Sequence, residues 1–163
     1  MKNAAKRISH LAAATAMLMA LGGFDGSLDD YLVGHWACEA EAQGVKVPVH
    51  GEYKKDGTLV ASSITQTQGQ GPNGELVVVK TAIELHGTWS TDGMVLTEEI
   101  TDLKLLSYEV NGQKPADISP IEALFREKTV GKIEVGDVEI VDDSKYREIV
   151  RSERGTIGTC TRM

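Results

Sequence analysis

Cysteine and aromatic residues are scarce in this 163-residue chain: it has two cysteines, and Phe, Trp and Tyr together make up 5%. So few aromatics imply a core built mostly from Val, Leu and Ile. Two cysteines admit one intramolecular pairing at most, and with no His or Cys close by they do not make a zinc site. The apolar run at residues 11–21 is 11 residues long, where about 20 are needed to cross a bilayer. Positive charge is short as well, with 17 Lys and Arg against 24 Asp and Glu. That balance speaks against nucleic acid, whose affinity is built from clustered Lys and Arg. Neither Gly-x-Ser-x-Gly nor Ser-x-x-Lys occurs, and nothing else argues for catalysis.

What the chain does have at its start is a basic segment with Lys2, Lys6 and Arg7, then the apolar run, then small residues at Ala20, Gly22 and Gly23. This is the pattern of a secretory signal peptide over residues 1–23, with a retained membrane helix as the lesser alternative. No cysteine ends the run, so lipoprotein acylation has no site. The expected mature product is residues 24–163, a single domain without membrane insertion, exported to the periplasm or the cell exterior. Losing three cations and no carboxylate moves the formal charge from −7 to −10, which favours solubility and suits a cationic partner. An oxidising compartment favours a Cys38–Cys160 disulfide. Closing so long a loop removes about 4 to 5 kcal/mol of unfolded-chain entropy. Two unlinked thiols are the competing reading.

Alternation of period two runs through most of the chain. In "YLVGHWACEAEA" it places Leu32, Gly34, Trp36, Cys38 and Ala40 on one face of a strand. "HGEYKKDGTLV" and "HGTWSTDGMVL", 36 residues apart, share one frame with Tyr53 and Trp89 at equivalent positions. Each reads as a hairpin turning at Asp-Gly, where Gly57 and Gly93 supply the positive φ. "LVVVKTAIELHGTW" puts Val77, Val79, Ile83, Leu85 and Trp89 on one face, and "MVLTEEITDLKLLSYEV" is strand-like with a break near its middle. Three more short strands follow, turning at Asp142-Asp143 and at Arg154-Gly155. One segment is helical: near residues 120–130, Ser119 is the expected N-cap, Pro120 sits at the first helical position, Glu122 closes a capping box, and Ile121, Leu124 and Phe125 form an apolar stripe ending at Gly131. About eight antiparallel strands and one helix fit a mainly β, up-and-down barrel, closed by pairing the first strand with the last.

Gly34-His35-Trp36 on the first strand resembles the Gly-x-Trp signature of lipocalins and of the lipocalin-like proteins that bacteria secrete, and the two Asp-Gly hairpins are similar to those of the latter. The resemblance implies a calycin-type barrel whose floor is closed by Trp36, with a basic residue of the last strand, Arg162, packed over it. Residues 105–155 match poorly, and the helix precedes the last three strands instead of following the eighth.

The resemblance also makes binding the expected activity, with no cofactor. The lumen candidates are Trp36, Tyr53, Val79, Ile83 and Trp89, with Leu124 and Phe125 of the helix at the opening, and the ligand class is small and apolar or amphipathic. The same residues equally describe a filled core. Docking of a cationic protein such as a lysozyme, or a structural role in the envelope, is the alternative. "GQGPNG", residues 69–74, is turn chemistry and not a dinucleotide fingerprint, because a strand follows it. His35, His50 and His86 read as surface imidazoles, His50 and His86 lacking a third metal ligand. The acids of "TEEITD" and "EVGDVEIVDD" read as solvent-facing.

Overall fold

The computed structural model describes residues 26–42, 45–151 and 157–163. The leader expected over residues 1–23 and the turn at Arg154-Gly155 lie outside the described residues. Eight strands follow in chain order: β1 (Gly34–Ala42), β2 (Val45–Tyr53), β3 (Thr58–Gln70), β4 (Leu76–Asp92), β5 (Val95–Val110), β6 (Ile133–Asp142), β7 (Lys145–Val150) and β8 (Ile157–Arg162). Each pairs antiparallel with its sequence neighbours, and β1 pairs with β8, so the meander closes into a barrel without free first and last edges. Register sets Cys38 opposite Cys160, and the two are joined as a disulfide spanning 122 residues.

The hairpin turns follow from local chemistry. Gly57 and Gly93 take φ of 79° and 61°. Asp56 fixes the first turn by accepting from the Thr58 backbone N–H at 3.0 Å and from its hydroxyl at 2.6 Å, the local side-chain bonding for which Asp is favoured in turns. The glycine-rich stretch at residues 69–74 joins β3 to β4 and holds Gly71 N–H on Glu75 O at 2.8 Å.

Three expectations are corrected. Leu32 does not begin the first strand: Leu28–Leu32 form a helical turn, α1, because Ser27 Oγ accepts from Asp30 N–H at 3.2 Å and Asp29 and Asp30 sit in the first turn. The break expected in "MVLTEEITDLKLLSYEV" is present as irregular register. β5 continues past it, with register shifts opposite His86/Gly87 and Ala82/Ile83 that each absorb an extra residue. The core expected from Val, Leu and Ile is instead Leu and aromatic: Tyr31, Trp36, Tyr53, Trp89 and Tyr146 are all buried, together with Leu28, Leu32, Leu59, Leu96, Leu103 and Leu105. The aromatics are few but concentrated.

The helix, α2 (Ser119–Thr129), differs at its start. Ile118 is the N-cap without a side-chain bond, and Ser119 N–H donates to Asp117 Oδ1 at 2.9 Å. Glu122 closes no capping box because its carboxylate is used elsewhere, accepting from Leu105 N–H of β5 at 2.9 Å. Beyond residue 99 β5 has left β6, and its exposed edge is met by α2 and the turn after it. Arg126 Nη1 donates to Leu103 O at 2.6 Å and Gly131 N–H to Ile100 O at 2.8 Å. An edge that would template aggregation is thereby covered.

Candidate functional site

One end of the barrel is sealed by contacts that begin at Gly34. Its φ of 133° belongs to the region that favours glycine, and a Cβ there would stand 2.9 Å from Arg162 Nη1. Arg162 therefore lies flat across the floor. Its guanidinium carbon is 4.4 Å from the Trp36 ring centroid and 5.5 Å from that of Tyr31, within the range of a cation–π contact. Its nitrogens donate to Val33 O at 3.1 Å and to Tyr31 O. Trp36 Nε1 donates to Leu32 O at 2.6 Å, and Tyr146 meets the Trp36 ring edge-on at 4.8 Å. The end carrying α1 is a packed plug.

Above the plug the inner wall changes character. By register, Trp36, Cys38 and Ala40 share the inner face with Tyr53, Val49 and Val47, and this face carries Cys160 and Gly158 on β8 and Tyr146, Glu148 and Val150 on β7. Trp36, Tyr53, Tyr146 and Cys160 are buried, whereas the inward Ala40, Val47, Val49, Glu148 and Val150 are only half-buried. On β1, β2, β7 and β8 packing is thus complete near the floor and incomplete toward the other end, while Ala61 and Ser63 of β3 and Leu103 and Leu105 of β5 are buried.

Two carboxylates, Glu98 and Glu148, project into that incompletely packed part, with the exposed Glu134 beside them on β6. Glu98 lies opposite Trp89 and Glu134, and its Oε1 accepts from Tyr53 Oη at 2.7 Å. Glu148 projects across β6 over Gly136, where a Cβ would stand 2.4 Å from its Oε1. Burial, then the charges of Glu98 and Glu134, push the Glu148 carboxyl up to about 8. Burial likewise raises Glu98, against the opposing hydrogen bond from Tyr53. Burial also raises the Tyr146 phenol, and its buried hydroxyl has the Tyr53 phenol as hydrogen-bond neighbour. The solvent-facing reading of "TEEITD" is therefore corrected for Glu98, whereas Glu134 of "EVGDVEIVDD" is exposed as expected. A signal was present: Leu96-x-Glu98, Glu134-x-Gly136-x-Val138 and Tyr146-x-Glu148 each place an acid in the inward phase of its strand.

Of the residues expected to line a lumen, Trp36 lies in the plug, and Tyr53 and Trp89 meet edge-to-face at 5.3 Å beside Glu98. Trp89 Nε1 donates to Lys54 O at 3.1 Å. Val79 and Ile83 lie farther along β4, half-buried, away from this cluster in sequence register. On α2 Leu124 is 49% exposed and Phe125 half-buried. The histidines stand on the outer face, His86 Nε2 3.0 Å from Glu84 and His35 Nε2 3.8 Å from Glu52. Among the described residues no three His, Cys, Asp or Glu side chains are grouped to hold a metal ion.

No family model and no curated protein matches the chain. Among solved structures it is similar to a lipocalin-like protein from Bacteroides uniformis, 15% identical, over 82% of this chain and 99% of that one, with a TM-score of 0.45. The barrel itself rests on the closed set of strand registers in this chain.

Proposed function

We propose that the protein is an exported, non-enzymatic binding protein whose mature domain, residues 24–163, holds a small amphipathic ligand in the unplugged part of the barrel. The single observation that carries this reading is the gradient along the inner wall: aromatic packing at the floor gives way to half-buried aliphatic and carboxylate side chains that face inward. Small barrels either fill their interior with side chains or keep room for one ligand, and inward residues left partly open to water accord with the second case. Apolar walls with a few converging polar groups are the ordinary composition of such sites. Disulfide closure of β1 on β8 suits an oxidising compartment.

The test is fluorescence of a neutral lipophile, N-phenyl-1-naphthylamine, added to the oxidised protein. Enhancement is expected with the native chain and is expected to vanish in Ala40→Trp, which fills the inner face of β1. Glu39→Trp, on the outer face of the same strand, should keep it. Equal enhancement in both variants, or none in the native protein, overturns the reading.

A further inference from the structure

The ladder between β2 and β3 stops early. It pairs only His50–Tyr53 with Leu59–Ser62, although β3 runs on to Gln70. Continuing that register would set Pro48 opposite Ile64, and Pro48 has no N–H to give. Its carbonyl is taken as well, accepting from Ser63 Oγ at 2.6 Å. From Ile64 onward β3 therefore has β4 on one side and, among the described residues, no strand on the other.

The backbone shows which groups this leaves open. Trp89 N–H donates to Gly57 O and Gly71 N–H to Glu75 O, both at 2.8 Å, whereas Lys54 N–H donates to Thr58 O at 2.9 Å. Odd-numbered residues of β3 thus bond to β4 and even-numbered ones turn to the β2 side, because the β3–β4 register runs unshifted from Thr58 to Gln70. The N–H and C=O groups of Ile64, Gln66, Gln68 and Gln70 accordingly point out from an open edge. Burial agrees: residues 66–70 are exposed, and Ile64 is 75% exposed.

Such an edge is a pairing template, which proteins blunt with charge, proline or a cover. The other edges here are treated in that way: α2 covers β5, Lys46 and Pro48 stand on β2, and the disulfide seam closes β1 on β8. The β3 edge has none of these. Residues 58–74 hold no Asp, Glu, Lys or Arg, in a chain of formal charge −7. Two copies repel over most of their surface, and this uncharged strand is where they can lie side by side without apposing carboxylates. Foreign peptides that add to an edge are selected through pockets for alternate side chains. Gln66, Thr67, Gln68 and Gly69, all exposed, build no such walls.

We propose that β3 is a self-association edge, to which a second copy of the chain adds its own β3 antiparallel about a two-fold axis near Thr67. Ile64, Gln66, Gln68 and Gln70 of one copy then meet Gln70, Gln68, Gln66 and Ile64 of the other, each pair exchanging two hydrogen bonds. Pairing consumes both edges, so assembly ends at two copies. An edge contact of this length is small, and its Kd should lie at about 10 to 100 μM.

The experiment is sedimentation equilibrium of the oxidised protein from about 1 to 300 μM, with amide hydrogen exchange at both ends of that range. The mass should rise from that of one chain toward that of two. Amides of Ile64, Gln66 and Gln68 should slow at least about tenfold with concentration, while those of Thr65 and Thr67, already bonded to β4, should not change. Gln66→Lys combined with Gln68→Lys should weaken association at least about tenfold; Glu39→Lys on β1, an equal change of charge, should not. A single-chain mass throughout overturns the proposal in favour of a foreign strand, and growth beyond two chains overturns it in favour of open-ended stacking. Dimers that protect neither Gln66 nor Gln68 overturn the edge as the interface.

Discussion

Glu148→Gln keeps the shape of the side chain and removes its charge. In the folded protein burial and then the facing acids raise this carboxyl from an ordinary 4.5 to about 8. A group raised on folding supports the fold below its unfolded value and withdraws that support as pH climbs through its folded value. The window is therefore pH 4.5 to 8. Across it the difference is worth at most about 5 kcal/mol, which water reaching the half-buried side chain reduces to about 2 to 3 kcal/mol. For a domain of this size 1 kcal/mol moves Tm by about 3 °C. The variant should thus melt about 6 to 10 °C above the native protein at pH 9 and within about 2 °C of it at pH 4. Thermal melts followed by circular dichroism at unit pH steps, with the disulfide intact, read this directly. Parallel Tm profiles for the two proteins would refute the reasoning, because the carboxylate would then be as well solvated folded as unfolded.

Replacing both Cys38 and Cys160 with Ser should lower stability to denaturant by about 4 kcal/mol, the chain-entropy value for a loop of this length; a loss under about 1 kcal/mol would mean that the β1–β8 hydrogen bonds alone hold the seam. Arg162→Met leaves Tyr31 O and Val33 O without their donor and removes the cation over Trp36, so unfolding free energy should fall by about 2 to 4 kcal/mol, together with a change in tryptophan fluorescence; unchanged emission would count against the floor. Glu122→Ala should raise hydrogen exchange at the Leu105 amide by at least about tenfold while amides of β1 are unaffected, since only the β5 edge loses its cover. Gly136→Ala should push the Glu148 carboxylate out of its niche and bring its titration toward ordinary values, readable by carboxyl NMR.

The architecture is legible in the sequence because period-two alternation, two Asp-Gly turns and a cysteine near each end are all local signals of one topology. The seam register follows from them: once β1 and β8 pair, Cys38 meets Cys160 and Trp36 meets Arg162. Legibility fails where long-range contacts recruit a residue away from its local role. Glu122 has the right spacing for a capping box, but the unpaired β5 edge offers its carboxylate a better donor in Leu105. Tyr31 and Leu32 continue an apolar alternation, yet the Ser27 cap turns them into α1 and seats them in the plug. The acidic interior shows only as phase, since Glu98 and Glu148 look like surface acids until the inward positions of Leu96 and Tyr146 are used to index their strands.

Titration of the glutamate carboxyl carbons by NMR in the oxidised protein tests the acid-lined interior most directly. Glu148 should titrate near pH 8 and Glu98 above the ordinary carboxylate range. Titration of both residues between pH 4 and 5 would contradict it.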